Sequence, residues 1–248
     1  MTDTNENKPG RGKPRRPGSF FGRRKGLKLR ARKQRLVDNL LPKLLLDVDE
    51  QSPTDLADLF PSLQKVKQDQ ISYRIEIGFG GGEHLTEEAK LNPNIGFIGI
   101  EPFINGMAKM LGEIDDHDLE NVRLYNEDAA LVLDWLPAES IARVDLLYPD
   151  PWPKKRQLKR RFVSPQNLDR IARVLVPEGE FRFASDIESY VNWTLAHCKE
   201  HPAFEWTAQS AKDWRNPWDN WHRTRYEAKA IREGRTPAYL IFAKTKKL

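Results

Sequence analysis

A repeating order of short apolar strand, turn and amphipathic helix runs from Tyr73 to about Trp193, and few folds accommodate it. Arg74-Ile-Glu-Ile77 reads as a strand that ends in Gly78-Phe-Gly-Gly-Gly82, and Gly96-Phe-Ile-Gly-Ile-Glu101 reads as a second. Val122–Tyr125, Val144–Tyr148 and Glu180–Ala184 repeat the pattern. Helical stretches are predicted between them at about Phe103–Ile114, Ala129–Trp135 and Gln166–Val176, the last stopped by Pro177 and Gly179. This alternation predicts an α/β fold with a parallel sheet, right-handed crossovers and helices on both faces. Past Trp193 the order changes: two late strands, Phe204–Thr207 and Ala238–Ala243, flank a polar, Trp-rich insert. Within it Thr224-Arg-Tyr-Glu227 has the form of a capping box opening a helix to Arg232.

The charge distribution divides the 248 residues further. Residues 1–35 hold 13 Lys/Arg against Asp3 and Glu6, a balance of +11 in a chain whose total is +5, so the remainder carries −6. A basic arm on an acidic body points to a polyanion, because neutralising phosphates releases counterions. Residues 1–25 are predicted to be a disordered basic arm and residues 26–70 an N-terminal extension, with a helix-turn between Leu36 and Leu46 that Pro42 interrupts. Residues 71–248 form the main domain. Cys198 is the only cysteine, which excludes an internal disulfide and a cysteine zinc site. His84, His117, His197, His201 and His222 show no metal-binding spacing and read as structural, so no metal is expected. No apolar run reaches 18 residues and no signal peptide is visible, so a cytoplasmic protein without a membrane partner is expected.

Five consecutive strands carry or end beside a carboxylate: Glu76, Glu101, Asp128, Asp150 and Asp186. Ligands of open parallel sheets bind outside the carboxyl ends of the strands, where these acids would gather. Gly78, Gly80 and Gly82 allow a bound molecule to approach the backbone closely. Glu101 lies 25 residues beyond Glu76, near the spacing at which an acid grips ribose hydroxyls. The dinucleotide pattern G-x-G-x-x-G fails, since Glu83 and Leu85 occupy the sixth positions. Glu76 and Glu83 would also repel a pyrophosphate, whereas a cationic nucleoside such as S-adenosylmethionine would be welcome.

The fourth strand leads into Tyr148-Pro-Asp-Pro-Trp-Pro153, with Asp150 held between two prolines, and then into six Lys/Arg within residues 154–161. Lys154, Arg156, Lys159, Arg160 and Arg161 read as a phosphate clamp beside a base pocket. Trp152 either stacks on an extruded base or packs beneath its loop. The insert Trp214–Tyr226 interleaves aromatics with cations, as RNA-binding surfaces do, or forms a second small core.

Glu76-Ile-Gly-Phe-Gly-Gly-Gly82, Gly99-Ile-Glu-Pro-Phe103, Pro149-Asp-Pro-Trp-Pro-Lys154, Lys159-Arg-Arg161, Ala184-Ser-Asp186 and Thr224-Arg-Tyr-Glu227 occur in that order. Together they resemble the bacterial tRNA (guanine-N7)-methyltransferase family over about residues 70–245. The resemblance implies a class I methyltransferase domain, a seven-stranded sheet with its last strand antiparallel. It implies methyl transfer from S-adenosylmethionine to guanine 46 of the tRNA variable loop. It places the donor against Glu76, Gly78, Gly80, Glu101, Asp128 and Asp150, with Glu101 on the ribose, Asp128 near the adenine and Asp150 catalytic. It places Lys154, Asp186, Thr224, Arg225, Tyr226 and Glu227 against RNA, although Thr224 and Glu227 read equally well as capping residues. Two other readings stand beside it: an amino-methyltransferase acting on another RNA base, because Pro149-Asp-Pro-Trp152 loosely echoes the tips of that group, and a non-catalytic RNA-binding protein. The oligomeric state, monomer or homodimer, is not legible in the sequence.

Overall fold

The computed structural model describes residue 22, residues 24–67 and residues 70–246. The predicted basic arm therefore lies almost wholly outside the described residues. Along the chain come α1 (Ala31–Asn39), α2 (Leu41–Leu44), β1 (Ser72–Ile77), α3 (Glu83–Leu91), β2 (Ile95–Ile100), α4 (Ile104–His117), β3 (Val122–Tyr125) and α5 (Ala129–Trp135). There follow β4 (Ile141–Leu147), α6 (Pro165–Val174), β5 (Leu175–Ser185), α7 (Glu188–Glu200), β6 (Phe204–Trp206), α8 (Lys212–Arg215), α9 (Arg225–Arg232) and β7 (Ala238–Lys244).

The seven strands form one sheet in the order β3-β2-β1-β4-β5-β7-β6. β1 to β5 pair in parallel, and β7 runs antiparallel to both β5 and β6. The predicted class I sheet with its antiparallel last strand is therefore present. β1 sits between β2 and β4, so successive crossovers leave it in opposite directions and open a crevice at its carboxyl end. Ile75, Ile98, Val144, Phe181 and Phe183 are fully buried, as strands covered on both faces require.

Helix boundaries follow local chemistry. Ser164 caps α6 by accepting from Asn167 N at 3.4 Å, with Pro165 in the first turn, where its missing N–H costs nothing. Pro42 does not break the extension; it opens α2 after the chain leaves α1. Leu46 N then donates to Leu124 O at 2.9 Å, so the extension covers the free edge of β3. Pro177 and Gly179 act differently from expectation. α6 ends earlier, at Val174, and β5 begins at Leu175. Pairing passes from Ile141↔Leu175 to Arg143↔Glu180, so the intervening residues bulge out of the ladder, where a proline loses no hydrogen bond.

Candidate functional site: a glycine loop facing an acidic tip

The carboxyl end of β1 turns through Gly78, Gly80 and Gly82, all at positive φ (73°, 59° and 80°), a path that side-chain-bearing residues rarely follow. Glu101, at the end of β2, fixes this turn. Its Oε2 accepts from Gly80 N and its Oε1 from Phe103 N, both at 2.8 Å. Gly106 on α4 lets the loop sit close, since a Cβ there would lie 2.2 Å from Gly80 O. Burial pushes the Glu101 carboxyl above the usual carboxylate range, and Asp150 nearby adds to the effect against the two N–H donors. Asp128 caps α5, accepting from Ala130 N at 3.0 Å, and desolvation raises its carboxyl too.

Glu76 lies under the loop and is buried, with His84 Nδ1 of α3 donating to its Oε2 at 2.8 Å. Glu83 stands at the rim. Although burial opposes it, Lys109 at 2.6 Å and Arg225 at 3.2 Å hold its carboxyl below the usual range.

The tip after β4 carries backbone strain at both ends. Tyr148 has φ 49° and Trp152 φ 40°, so two bulky residues in the left-handed region bracket Pro149-Asp150-Pro151. Each such residue costs on the order of 1–3 kcal/mol, and strain of this kind collects at functional sites. Asp150 projects at the exposed end of the tip, yet surrounding protein desolvates it enough to raise its carboxyl.

The cationic run divides in two. Lys154, Arg156 and Lys159 are exposed, and the Arg160 guanidinium lies 5.0 Å over the Trp152 ring. Arg161 corrects the expectation of an exposed phosphate ligand: it is buried, donating to Pro151 O at 2.9 Å, Ser189 O at 2.8 Å and Ser189 Oγ at 3.0 Å. Its guanidinium also covers the rings of Tyr190 and Trp193. Arg161 therefore fastens the tip to α7, and burial leaves it no face for an RNA phosphate.

The segment leading into α9 closes the other side. Thr224 Oγ1 accepts from Glu227 N at 3.1 Å, the predicted cap. The Glu227 carboxylate is buried and does not complete the box; it accepts from Trp221 Nε1 at 2.7 Å and Tyr239 Oη at 2.5 Å. Both ends of this motif thus hold the segment in place. Arg225 and Tyr226 face outward over the glycine loop, with Tyr226 against Gly80 and Arg225 against Gly81. Burial lifts the Tyr226 phenol, and Glu101, Asp150 and Glu83 lie close enough to add to it. Asp186 pairs with Arg235 just beyond α9.

Two contributors escape sequence reading. Asn105 Oδ1 accepts from Gly26 N and Asn105 Nδ2 donates to Leu27 O, both at 2.8 Å, while Ile104 N donates to Arg24 O. This fastens the described end of the basic region beside Glu101, and the Arg24 charge acts on Asp128. Nothing local in the sequence links residues 24–27 to α4.

The glycine loop, Glu101, Asp128 and the strained tip after β4 all lie at the carboxyl ends of the adjacent strands β3-β2-β1-β4. Residues 70–240 match a family model described as "Putative methyltransferase". A Rhizobium meliloti (strain 1021) protein named tRNA (guanine-N(7)-)-methyltransferase is 58% identical over 225 residues, covering 90% of this chain and 94% of its own. The chain belongs to the tRNA (guanine-N7)-methyltransferase family. A Brucella anthropi relative of the same name is 56% identical over 239 residues, covering 96% of this chain and 98% of its own. The solved 16S rRNA methyltransferase KamB superposes with a TM-score of 0.50 at 14% identity, over 79% of this chain and 95% of that one, which shows the shared fold alone.

S-adenosylmethionine is the methyl donor of this family and fold. The residues present fit it: nothing stands within 4 Å of where a Cβ on Gly78 would lie, and carboxylates, which suit a cationic nucleoside, stand just beyond β2 and β3. Among the described residues no group of His, Cys, Asp or Glu is arranged to hold a metal ion. None of the described helices is long and apolar enough to cross a membrane.

Proposed function

We propose that this chain transfers a methyl group from S-adenosylmethionine to N7 of guanine 46 in the tRNA variable loop, in the cytoplasm. The observation that carries the reading is the strained Tyr148–Trp152 tip, which presents Asp150 near Glu101 above the glycine loop. When bound, the donor supplies an electrophilic methyl on a sulfonium.

Guanine N7 has an in-plane lone pair and no proton, so no general base is needed. The chain's task is alignment and electrostatics. Asp150 accepts from the N1–H and N2–H₂ edge of guanine, which selects it over adenine, and its negative charge stabilises the purine as that ring becomes cationic. Pro149 and Pro151 limit the freedom of the carboxylate, so little reorganisation accompanies the reaction. Glu101 binds the donor ribose, Asp128 the adenine side and Glu76, with Gly78 and Gly80, the amino-acid end. Tyr226 and Arg225 cover the glycine loop and meet the RNA, and Lys154, Arg156, Lys159 and Arg160 hold phosphates on the far side of the tip. Asp186 and the Thr224–Glu227 segment shape that RNA surface through Arg235 and α9. In this reading residues 1–25 are an RNA-binding arm, 26–70 an edge-covering extension and 71–248 the methyltransferase domain.

Two unmodified tRNA transcripts that differ only at position 46 test the site. With labelled donor, the guanine 46 transcript should gain one 7-methylguanosine and an adenine 46 transcript should gain none. Equal labelling of both would place the target elsewhere, and label in an exocyclic amine would favour an amino-methyltransferase.

A further inference from the structure

Beneath the glycine loop lies a buried charged network that the reaction does not need. Two carboxylates, Glu88 and Asp145, meet the guanidiniums of Arg143 and the half-buried Arg74, and a third, Glu76, lies beside them. Arg143 Nη2 reaches Glu88 at 2.5 Å and Arg143 Nε reaches Asp145 at 2.8 Å, while Arg74 bonds Glu88 at 2.8 Å. Glu76 has neither arginine; its partner is His84 at 2.8 Å. Burial alone would push the imidazolium down, but Glu76 beside it, with Asp145 and Glu88 beyond, outweighs that and holds its pKa above the ordinary value.

The other face of the ring meets the substrate side. The His84 and Trp221 centroids lie 5.2 Å apart, inclined at 42°. His84 Nε2 is buried and has no hydrogen-bond partner among the described residues. Trp221 is itself fixed: its Nε1–H donates to Glu227, and its ring packs edge-on against Trp218 and Tyr239 at 4.9 and 5.5 Å. Glu227 belongs to the turn that Thr224 caps, from which Arg225 and Tyr226 project over the glycine loop. An unbroken run of contacts therefore joins Glu76, His84, Trp221, Glu227 and the outward-facing residues of α9.

We propose that His84 is a positioning residue that couples the donor-side carboxylate Glu76 to the substrate-side segment Thr224–Glu227, bonding the first and packing on the tryptophan that anchors the second. The inference rests on Glu76 facing the donor, as in the function proposed above. The imidazole fixes which way the Glu76 carboxylate points, and Trp221 fixes the imidazole. Disturbing the tryptophan on the substrate side therefore alters donor binding through His84.

The test measures KM for S-adenosylmethionine and kcat at saturating tRNA, with urea midpoints, for His84→Ala, His84→Asn, Trp221→Phe and the double variant His84→Ala/Trp221→Phe. His84→Ala should raise donor KM about tenfold with kcat changed less than about threefold, since it removes orientation and no reacting group. His84→Asn, whose amide N–H can replace Nδ1–H, should return KM to within about threefold of wild type. Trp221→Phe should raise donor KM several-fold, and the double variant should match His84→Ala rather than multiply the two effects, as contacting residues do. Unchanged donor KM in His84→Ala with only a lower urea midpoint overturns the proposal, and so does a double variant whose effect is the product. Should His84→Ala not fold, an unchanged donor KM in Trp221→Phe overturns it alone. A wild-type chain that makes no 7-methylguanosine would instead refute the underlying function, and calorimetric donor binding by the same variants would still read out the coupling.

Discussion

Replacing Arg161 by alanine should destabilise the protein without altering its electrostatic grip on RNA, despite the residue's place in a cationic run. The guanidinium makes three hydrogen bonds, to Pro151 O, Ser189 O and Ser189 Oγ, at 2.8–3.0 Å. Bonds involving a charged group contribute roughly 1.5–3 kcal/mol each, and three made by one rigid fork do not add fully. The contacts over Tyr190 and Trp193 contribute on the order of 0.5–1 kcal/mol apiece. A loss of about 3–5 kcal/mol follows, a large part of the roughly 5–15 kcal/mol that keeps a domain folded. Urea unfolding reads it as a lowered midpoint at unchanged slope. Arg161→Lys should recover less than half, because one ammonium cannot span the fork. The contrast is Arg156→Ala, which should leave stability within about 0.5 kcal/mol. It should also flatten the plot of log K against log salt for tRNA by about 0.7–0.9. An Arg161→Ala protein of wild-type stability whose salt slope falls like that of Arg156→Ala would refute the assignment.

Glu101→Gln keeps one acceptor oxygen for the Gly80 and Phe103 amides and turns an NH₂ on the other, so it should cost about 1–3 kcal/mol of stability. It should weaken donor binding at least about tenfold by calorimetry, since a charge facing the donor is lost; unchanged donor affinity would remove Glu101 from that role. The raised carboxyls of Glu101, Asp128 and Asp150 predict opposite pH trends. The contribution of these groups to folding stability is full below the unfolded carboxylate range near 4 and declines as pH rises through their folded values. Donor affinity needs Glu101 and Asp128 ionised and should fall as pH drops from neutral towards that range, and a flat donor Kd from pH 8 to pH 5 would contradict this. Asn105→Ala should release residues 24–27 from α4, speeding amide exchange at Gly26 and Ile104 while α4 beyond its first turn stays protected. Unaltered exchange at those two amides would show that the contact is not held by Asn105.

The parallel sheet, its glycine loop and the acids after each strand were legible because strand period, glycine and tip acids are local signals. Pro177 was misleading for the same reason. Read locally it stops a helix, but the helix ends three residues earlier, and the proline occupies a bulge that only the pairing of β4 with β5 defines. Arg161 and Arg156 are alike in sequence, and only the packing of the tip on α7 separates the buried one from the exposed one. Thr224 and Glu227 looked like a capping box, and half of it exists. The carboxylate is drawn away by Trp221 and Tyr239, partners that lie 6 and 12 residues off, the second of them on β7. His84 had no metal spacing and read as structural; its bond to Glu76 crosses from helix to strand, which no periodicity reports.

The central claim is that Asp150 positions and stabilises guanine during methyl transfer without abstracting a proton. Its most direct test pairs donor affinity with single-turnover formation of 7-methylguanosine in tRNA for wild type and Asp150→Ala. Wild type should form 7-methylguanosine. Asp150→Ala should bind the donor within a few-fold of wild type, about 1 kcal/mol or less, yet lose methyl transfer. Near-normal single-turnover transfer in Asp150→Ala, or no 7-methylguanosine from the wild type, would contradict it.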